Sequence, residues 1–234
     1  MNIIYFGYDM FSDCLRKLLQ NPQINILKIY SFPSDGDFDF HDEIKGLADV
    51  KKIPFTTEKI TSEELKYQFS HNGCELAFSA GYQWRIPMEN IENFRGINIH
   101  PSLLPNGRGP WPMPWVILNG LSKTGVTAHK LAPKIDEGDI LLQKEFSVSK
   151  DENYFSLEKK LKVTAAEVTE ELFENLDELW ESAKPQGKGQ YLPEPSDEMR
   201  TIFKNTSKEK RELILRAFGE NYTIFSENDE KDGM

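Results

Sequence analysis

Asn98 and His100 stand two apart in the run Gly96-Ile97-Asn98-Ile99-His100-Pro101, and Asp136 follows further on in Ile135-Asp136-Glu137-Gly138-Asp139-Ile140. Apolar Ile97 and Ile99 alternate with polar Asn98 and His100, which predicts a strand with one apolar and one polar face. Side chains two apart share a face, so the carboxamide and the imidazole project together. Pro101 can give no ladder hydrogen bond, so the pair sits where the strand ends and a loop begins. An amide donor beside a proton-carrying imidazole at such a place can stabilise an oxyanion and move protons, the chemistry of acyl transfer. His100 alone reads equally as an ordinary strand-end histidine, and Asp136 and Asp139 beside Gly138 read equally as turn carboxylates. Taken together, the three groups form a candidate orienting constellation.

The elements that must hold these groups alternate between strand and helix. Asn2–Phe6 is a short apolar run ending at Gly7, followed by helical spacing through Phe11, Cys14, Leu15, Leu18 and Leu19, then a second strand over Ile24–Tyr30. Ser31–His41, rich in Ser, Pro, Gly and Asp, reads as a loop or lid. A helix is predicted over Glu58–Ser70, a buried strand over Glu75–Ala80 ending at Gly81, the strand Gly96–His100, and a helix over Pro112–Asn119 with Pro near its start. Gly125–Leu131 and Ile140–Val148 read as a strand pair, and Glu152–Ser182 as one long helix closed by Pro185, Gly187 and Gly189. A weak helix at Ser207–Phe218 and a strand at Asn221–Phe225 follow. This pattern predicts an α/β fold: an open, mostly parallel, Rossmann-like sheet with helices on both faces. The expected division is a catalytic domain over residues 1–185, a small C-terminal extension over 186–225 and an acidic tail over 226–234. Ligands in such sheets bind outside the carboxyl ends of the strands, where Gly7, Gly81 and His100 fall.

Bulk composition narrows the function classes. The 234 residues carry a formal net charge of −10, which argues against a protein that grips nucleic acid through many phosphates. No apolar run reaches the roughly 18 residues needed to span a bilayer, so no membrane insertion is expected. The N-terminus has no basic segment and enters a strand directly, unlike a signal peptide. Cys14 and Cys74 give no disulfide framework, and a reduced, cytoplasmic location is the plain reading. His41, His71 and His129 lack metal-ligand spacing, so no metal is expected. His41 and His71 are expected on the surface, and His129 on a strand facing the site.

The run Asn98-Ile99-His100-Pro101-Ser102-Leu103-Leu104-Pro105 resembles the signature of the 10-formyltetrahydrofolate-dependent formyltransferases. Lys123-Thr124-Gly125-Val126-Thr127-Ala128-His129 and Ile135-Asp136-Glu137-Gly138-Asp139-Ile140 match the rest of that family's catalytic domain in order and distance, over about residues 1–180. The resemblance implies that Asn98, His100 and Asp136 are the catalytic trio. An amine would attack the formyl carbon of 10-formyltetrahydrofolate, Asn98 and protonated His100 would stabilise the tetrahedral oxyanion, and Asp136 would orient His100 and help remove the amine proton. It also implies a folate pocket from two loops: Tyr82, Gln83, Trp84, Arg85 and Ile86, and Ala132, Pro133, Lys134 and Ile135, the latter reading the pterin through the main chain.

Three acceptor classes compete. Phosphoribosylglycinamide formyltransferases place a Gly/Ser/Asn-rich phosphate loop after the first strand, where this chain has Tyr8-Asp9-Met10-Phe11. Methionyl-tRNA formyltransferases add a basic C-terminal barrel, which fits an acidic chain poorly. The third class is the sugar N-formyltransferases, which the opening Phe6–Met10, the stretch Gly107–Pro112 and Leu215–Phe218 resemble. That resemblance implies a nucleotide-linked amino-dideoxy sugar for bacterial surface polysaccharide such as lipopolysaccharide O-antigen, with dTDP-4-amino-4,6-dideoxyglucose, its 3-amino isomer and UDP- or GDP-linked sugars all open. Arg108 and Arg216 become candidates for the pyrophosphate, and Tyr8, Asp9 and Trp111 for the sugar border. A homodimer is expected. A dinucleotide-dependent oxidoreductase is the different-class alternative, but the G-x-G-x-x-G fingerprint is missing after the first strand.

Overall fold

A computed structural model describes residues 1–34 and 40–229. The predicted lid at Ser31–His41 and the acidic tail therefore fall partly outside the described residues. β1 (Asn2–Gly7), α1 (Ser12–Gln20), β2 (Asn25–Tyr30), α2 (Asp42–Lys51), β3 (Phe55–Thr56), α3 (Ser62–Ser70) and β4 (Leu76–Ala80) come first. β5 (Gly96–His100), α4 (Pro112–Leu118), β6 (Lys123–Lys130), β7 (Ile140–Ser147), α5 (Tyr154–Glu174) and α6 (Leu176–Glu181) follow. The chain continues through β8 (Thr201–Ile202), α7 (Lys208–Tyr222) and β9 (Ile224–Phe225).

Seven strands form one sheet in the order β3-β2-β1-β4-β5-β6-β7. The pairings among β3, β2, β1, β4 and β5 are parallel. Those of β5 with β6 and of β6 with β7 are antiparallel. Helices cover both faces, and β1 shows why. Its Ile3 and Tyr5 enter a large core with α1, α4, α5 and α7, while Ile4 and Phe6 enter a smaller core with Leu65 of α3 on the opposite face. Period-two alternation of uniformly apolar residues thus feeds two layers, as a strand buried on both faces requires. In α5 the buried Tyr154, Leu157, Leu161, Ala165, Val168 and Leu172 recur at helical spacing, and a capping box of Asn153 and Ser156 fixes its start.

Three helices differ from the sequence expectation, and the two-residue strands β3 and β8 lie outside it. α2 buries only Ile44 and Ala48 and carries Gly46 inside, so its apolar periodicity is faint. Its start is held instead by a distant carboxylate: Asp9 accepts from the N–H groups of Glu43 and Ile44 at 3.0 Å each. The long helix is broken at Asn175 (φ −133°, ψ 28°), which redirects α6 so that Trp180 lies between Arg95 and Lys130, both 4.6 Å from its ring centroid. α7 continues to Tyr222, with a non-helical Gly219 inside it. Ile202, Ile214, Ala217 and Phe218 of the C-terminal part join the main core. Among the described residues no helix is long and apolar enough to cross a membrane.

Candidate functional site

The order of strands reverses between β2-β1 and β1-β4, and a crevice between the chains leaving such neighbours is where open α/β sheets bind ligands. Gly7 and Gly81 end these two strands, and His100 ends the next one over. β5 brings Asn98 and His100 to that edge, and β6 supplies the opposite wall. Its register places Asn98 across from His129 and His100 across from Thr127. The turn after β5 is pinned to β6: Thr127 Oγ1 donates to Ser102 O at 2.6 Å and accepts from Leu104 N at 3.1 Å. Gln143 of β7 donates to Leu104 O and to Thr127 Oγ1 at 2.7 and 2.9 Å.

The structure brings the three predicted chemical groups together. His100 Nδ1 is 3.5 Å from Asp136 Oδ1, and both side chains are buried. His100 Nε2 lies 2.8 Å from Gly107 O. A carbonyl only accepts, so Nε2 carries a proton and Nδ1 is the nitrogen left to titrate. Asp136 sits in the left-handed region (φ 57°) in the loop between β6 and β7, and its Oδ2 accepts from Gly109 N at 3.0 Å. Both groups thus hang on the tripeptide Gly107-Arg108-Gly109.

His129 stands closer to the chemistry than its sequence context required. Its Nδ1 donates to Lys130 O at 2.8 Å, while Nε2 is 3.2 Å from Asn98 Nδ2 and 3.6 Å from Asp136 Oδ1. An amide N–H only donates, so that nitrogen is the acceptor of the Asn98 contact. His71 is exposed, and His41 is half-buried with its ring against Phe55. Among the described residues no group of three or more His, Cys, Asp or Glu could hold a metal ion. Cys14 and Cys74 are buried free thiols.

Burial penalises charge on both members of the pair, with opposite net outcomes. For Asp136 burial raises the pKa, but His100, His129 and the Gly109 N–H outweigh it and hold the carboxyl at about 2 against an ordinary 3.8. For His100 burial lowers the pKa and wins over Asp136 and the Gly107 carbonyl, so the imidazole stays below its ordinary range. The free protein therefore carries an ionised Asp136 at neutral pH beside an imidazole that resists protonation, whereas the sequence resemblance implied a charged one.

The two predicted folate loops face each other. Arg85 Nη2 reaches Pro133 O at 3.4 Å and pairs with Glu89. Tyr82 packs on Phe6 and edge-on against Trp84, Ile86 is buried in the smaller core, and Gln83 is exposed. Ala132 is half-buried, while Pro133, Lys134 and Ile135 are exposed, Ile135 by 60% despite its apolar side chain. Among the described residues the N–H groups of Lys134, Ile135 and Asp136 donate to no protein acceptor.

The five predicted acceptor residues make most of their contacts within the protein, and Tyr8 and Trp111 both lie near Tyr222. Tyr8 sits at the end of β1 with its ring near Phe11, Phe32 and Phe40, and Asp9 is committed to α2. Trp111 packs against Tyr154, Phe218 and Tyr222, and Arg216 Nε donates to Glu152 O at 3.2 Å, both within the packing of α5 and α7. Arg108 is nearly buried, and Gln186, Gly187 and Glu137 occupy its donors. Gln186 was not singled out from the sequence. The only signal there is its place beside Pro185 after the long helix, which marks a helix end rather than a site.

Comparison with known proteins supplies the family. The formyl transferase family profile matches residues 16–172. The chain is 31% identical over 229 residues to a methionyl-tRNA formyltransferase of Ehrlichia ruminantium (strain Gardel), covering 93% of this chain and 76% of that one. It is 39% identical over 111 residues to a GDP-perosamine N-formyltransferase of Brucella melitensis biotype 1, covering 46% and 42% respectively. An N-formyltransferase of Helicobacter canadensis, solved in complex with folinic acid and dTDP-3-aminofucose, superposes with a TM-score of 0.73 at 20% identity, over 98% of this chain and 85% of that one. With a profile match over more than half of its length and a relative of that identity and coverage, the chain belongs to the formyl transferase family of enzymes.

Proposed function

We propose that the protein moves a formyl group from 10-formyltetrahydrofolate to the amine of a nucleotide-linked amino-dideoxy sugar. The loop after β1 carries the choice of acceptor. Where a phosphate cradle would need glycines and hydroxyls, Met10 and Phe11 are buried, Tyr8 packs among aromatic rings, and Asp9 adds a negative charge. A terminal phosphate is disfavoured there, while a sugar suits the ring faces of Tyr8 and Trp84. The net charge of −10 weighs against tRNA. The Brucella relative and the Helicobacter structure, by their names, act on or hold sugar nucleotides. The identity to the Ehrlichia enzyme favours methionyl-tRNA as the second reading.

The loops at Tyr82–Ile86 and Ala132–Ile135 fit a flat, polar-edged ring system. Exposed Ile135 and half-buried Trp84 offer apolar surface, and the unpaired N–H groups of Lys134 and Ile135 offer main-chain donors. The donor supplies the formyl carbon and leaves through its N10 amine. Asn98 has a second Nδ2 proton beyond the one facing His129, and this proton stabilises negative charge building on the formyl oxygen. His100 enters neutral, with a vacant Nδ1 toward Asp136. The proton released by the attacking amine is taken at Nδ1, where the ionised carboxylate stabilises the resulting imidazolium. It is then returned to the departing nitrogen, so the protons balance. Burial thus sets His100 as a base before it becomes an acid.

Mass spectrometry of a panel of nucleotide amino sugars incubated with 10-formyltetrahydrofolate tests the reading. The expected result is a one-formyl mass gain on a sugar nucleotide. Formylation of methionyl-tRNA with none of any sugar nucleotide would replace this reading with the second one.

A further inference from the structure

The segment after α6 threads between the two loops that carry the chemistry. Lys184 pairs with Ile140 through two backbone hydrogen bonds of 2.8 and 2.9 Å. Further along, Arg108 N donates to Gln190 O at 3.1 Å and Leu192 N to Arg108 O at 2.7 Å. Between these attachments lies Gln186. Its Nε2 donates to Asp136 O at 2.9 Å and to Gly138 O at 2.6 Å. Its Oε1 accepts from Arg108 Nε and Nη2 at 3.1 and 2.8 Å. Every donor and acceptor of one carboxamide is therefore spent on joining two loops, and none faces a ligand.

We propose that Gln186 is a positioning residue for Asp136 and His100: it clamps the Arg108 loop to the Asp136 loop, so that the C-terminal segment fixes the geometry of the chemical pair. The sheet alone does not do this. Strand β5 fixes the backbone of His100, but His100 Nε2 and Asp136 Oδ2 are both bonded to the tripeptide 107–109, whose middle residue Gln186 holds. Asp136 has a left-handed backbone (φ 57°), and its carbonyl is one of the two that accept from Gln186. Arg108 accordingly serves as the grip of the clamp, and its occupied donors explain its burial better than a pyrophosphate contact does.

The proposal rests on the formyl-transfer reading, so one arm of its test needs no substrate. Gln186→Met removes all four hydrogen bonds at similar volume; Gln186→Glu keeps two acceptor bonds to Arg108 and loses both donations to carbonyls. In carbon NMR the Asp136 carboxyl midpoint should move from about 2 toward 3.8 in both variants. With 10-formyltetrahydrofolate and dTDP-4-amino-4,6-dideoxyglucose, kcat should fall about 100-fold while each KM stays within about threefold. Adding Arg108→Met to Gln186→Met should cost little more, because both act through one junction. An unmoved Asp136 midpoint in both variants overturns the proposal. So does a loss confined to KM, or a double variant whose losses multiply. A lowered melting temperature with kcat and the midpoint unchanged overturns it too, leaving Gln186 a stabilising contact alone. If the wild type formylates no sugar, the acceptor reading fails and the carboxyl titration still decides the clamp.

Discussion

Asp136→Asn isolates the charge at the centre of the site. Asparagine tolerates the left-handed backbone that this position adopts (φ 57°), and its carbonyl oxygen can still accept from Gly109 N. The variant therefore removes charge with little change of shape. In the wild type the carboxyl titrates at about 2 when folded against 3.8 ordinarily. A shift of that size corresponds to about 2 kcal/mol of stability carried by the ionised form. The folded pKa is depressed, so this contribution is present above pH 3.8 and is lost as pH falls through about 2. His100 adds a second limb. Its folded pKa is also depressed, and more so without Asp136, so as pH falls below 6.5 the variant loses more stability than the wild type. The difference in unfolding free energy should consequently form an arch. It is about 2 kcal/mol at neutral pH, rises above that as pH falls below 6.5, and collapses toward pH 2. Urea unfolding of both proteins at half-unit intervals of pH measures it, since carboxylates common to both cancel in the difference. A difference that is flat with pH, or largest at neutral pH, refutes the coupling of this carboxylate to His100. Turnover of the same variant should drop by roughly 10²–10⁴-fold, the ordinary worth of a positioned acid–base group.

Other perturbations address neighbouring parts of the site. Asn98→Ala removes the amide donor without touching the His100–Asp136 pair, so turnover should fall by roughly 10²–10³-fold with the His100 titration in NMR unchanged. His129→Phe removes a neighbour from Asp136 and should raise its carboxyl pKa above about 2, read by carbon NMR. Gly109→Ala places a Cβ 2.0 Å from Leu192 O at a φ of 122°, and should cost roughly 1–3 kcal/mol in urea unfolding with a loss of turnover. Thermal melting should rise with dTDP-linked sugars and stay level with tRNA or glycinamide ribonucleotide, each added well above its dissociation constant.

Local patterns made the sheet and the trio legible and left the supports around them hidden. The alternation Ile97-Asn98-Ile99-His100 declares a strand edge, and the strict spacing of Leu157, Leu161, Val168 and Leu172 declares a helix face. α2 was not legible, because its N-terminal cap comes from Asp9 rather than from a neighbouring residue. Gln186 was hidden for the same reason: its four hydrogen bonds reach residues 48 to 78 positions away. Arg108 shows the converse. A guanidinium in a glycine-rich loop has the features of an anion ligand, and only the tertiary neighbours Gln186, Gly187 and Glu137 reveal that its donors are taken.

The change from parallel to antiparallel pairing at β5 explains why the chemistry collects there rather than at β1 or β4. β6 pairs antiparallel with β5, after the segment that carries α4, and puts residues of the two strands face to face. Asn98 thereby gains His129 as a cross-strand partner, and His100 gains Thr127, whose hydroxyl ties down the turn that follows. The same reversal sends the β6–β7 connection back over the edge of β5, where Asp136 meets His100. The seam between β5 and β6 can then hold an amide, two imidazoles and a carboxylate together. Substituting Thr127 by valine keeps the shape and removes its hydrogen bonds, so it should loosen the turn at Ser102–Leu104. The expected result is faster amide exchange at Leu104, whose N–H donates to that hydroxyl, while exchange in β1 and β4 stays as it was. Equal exchange at Leu104 in both proteins would show that the antiparallel wall does not organise the turn.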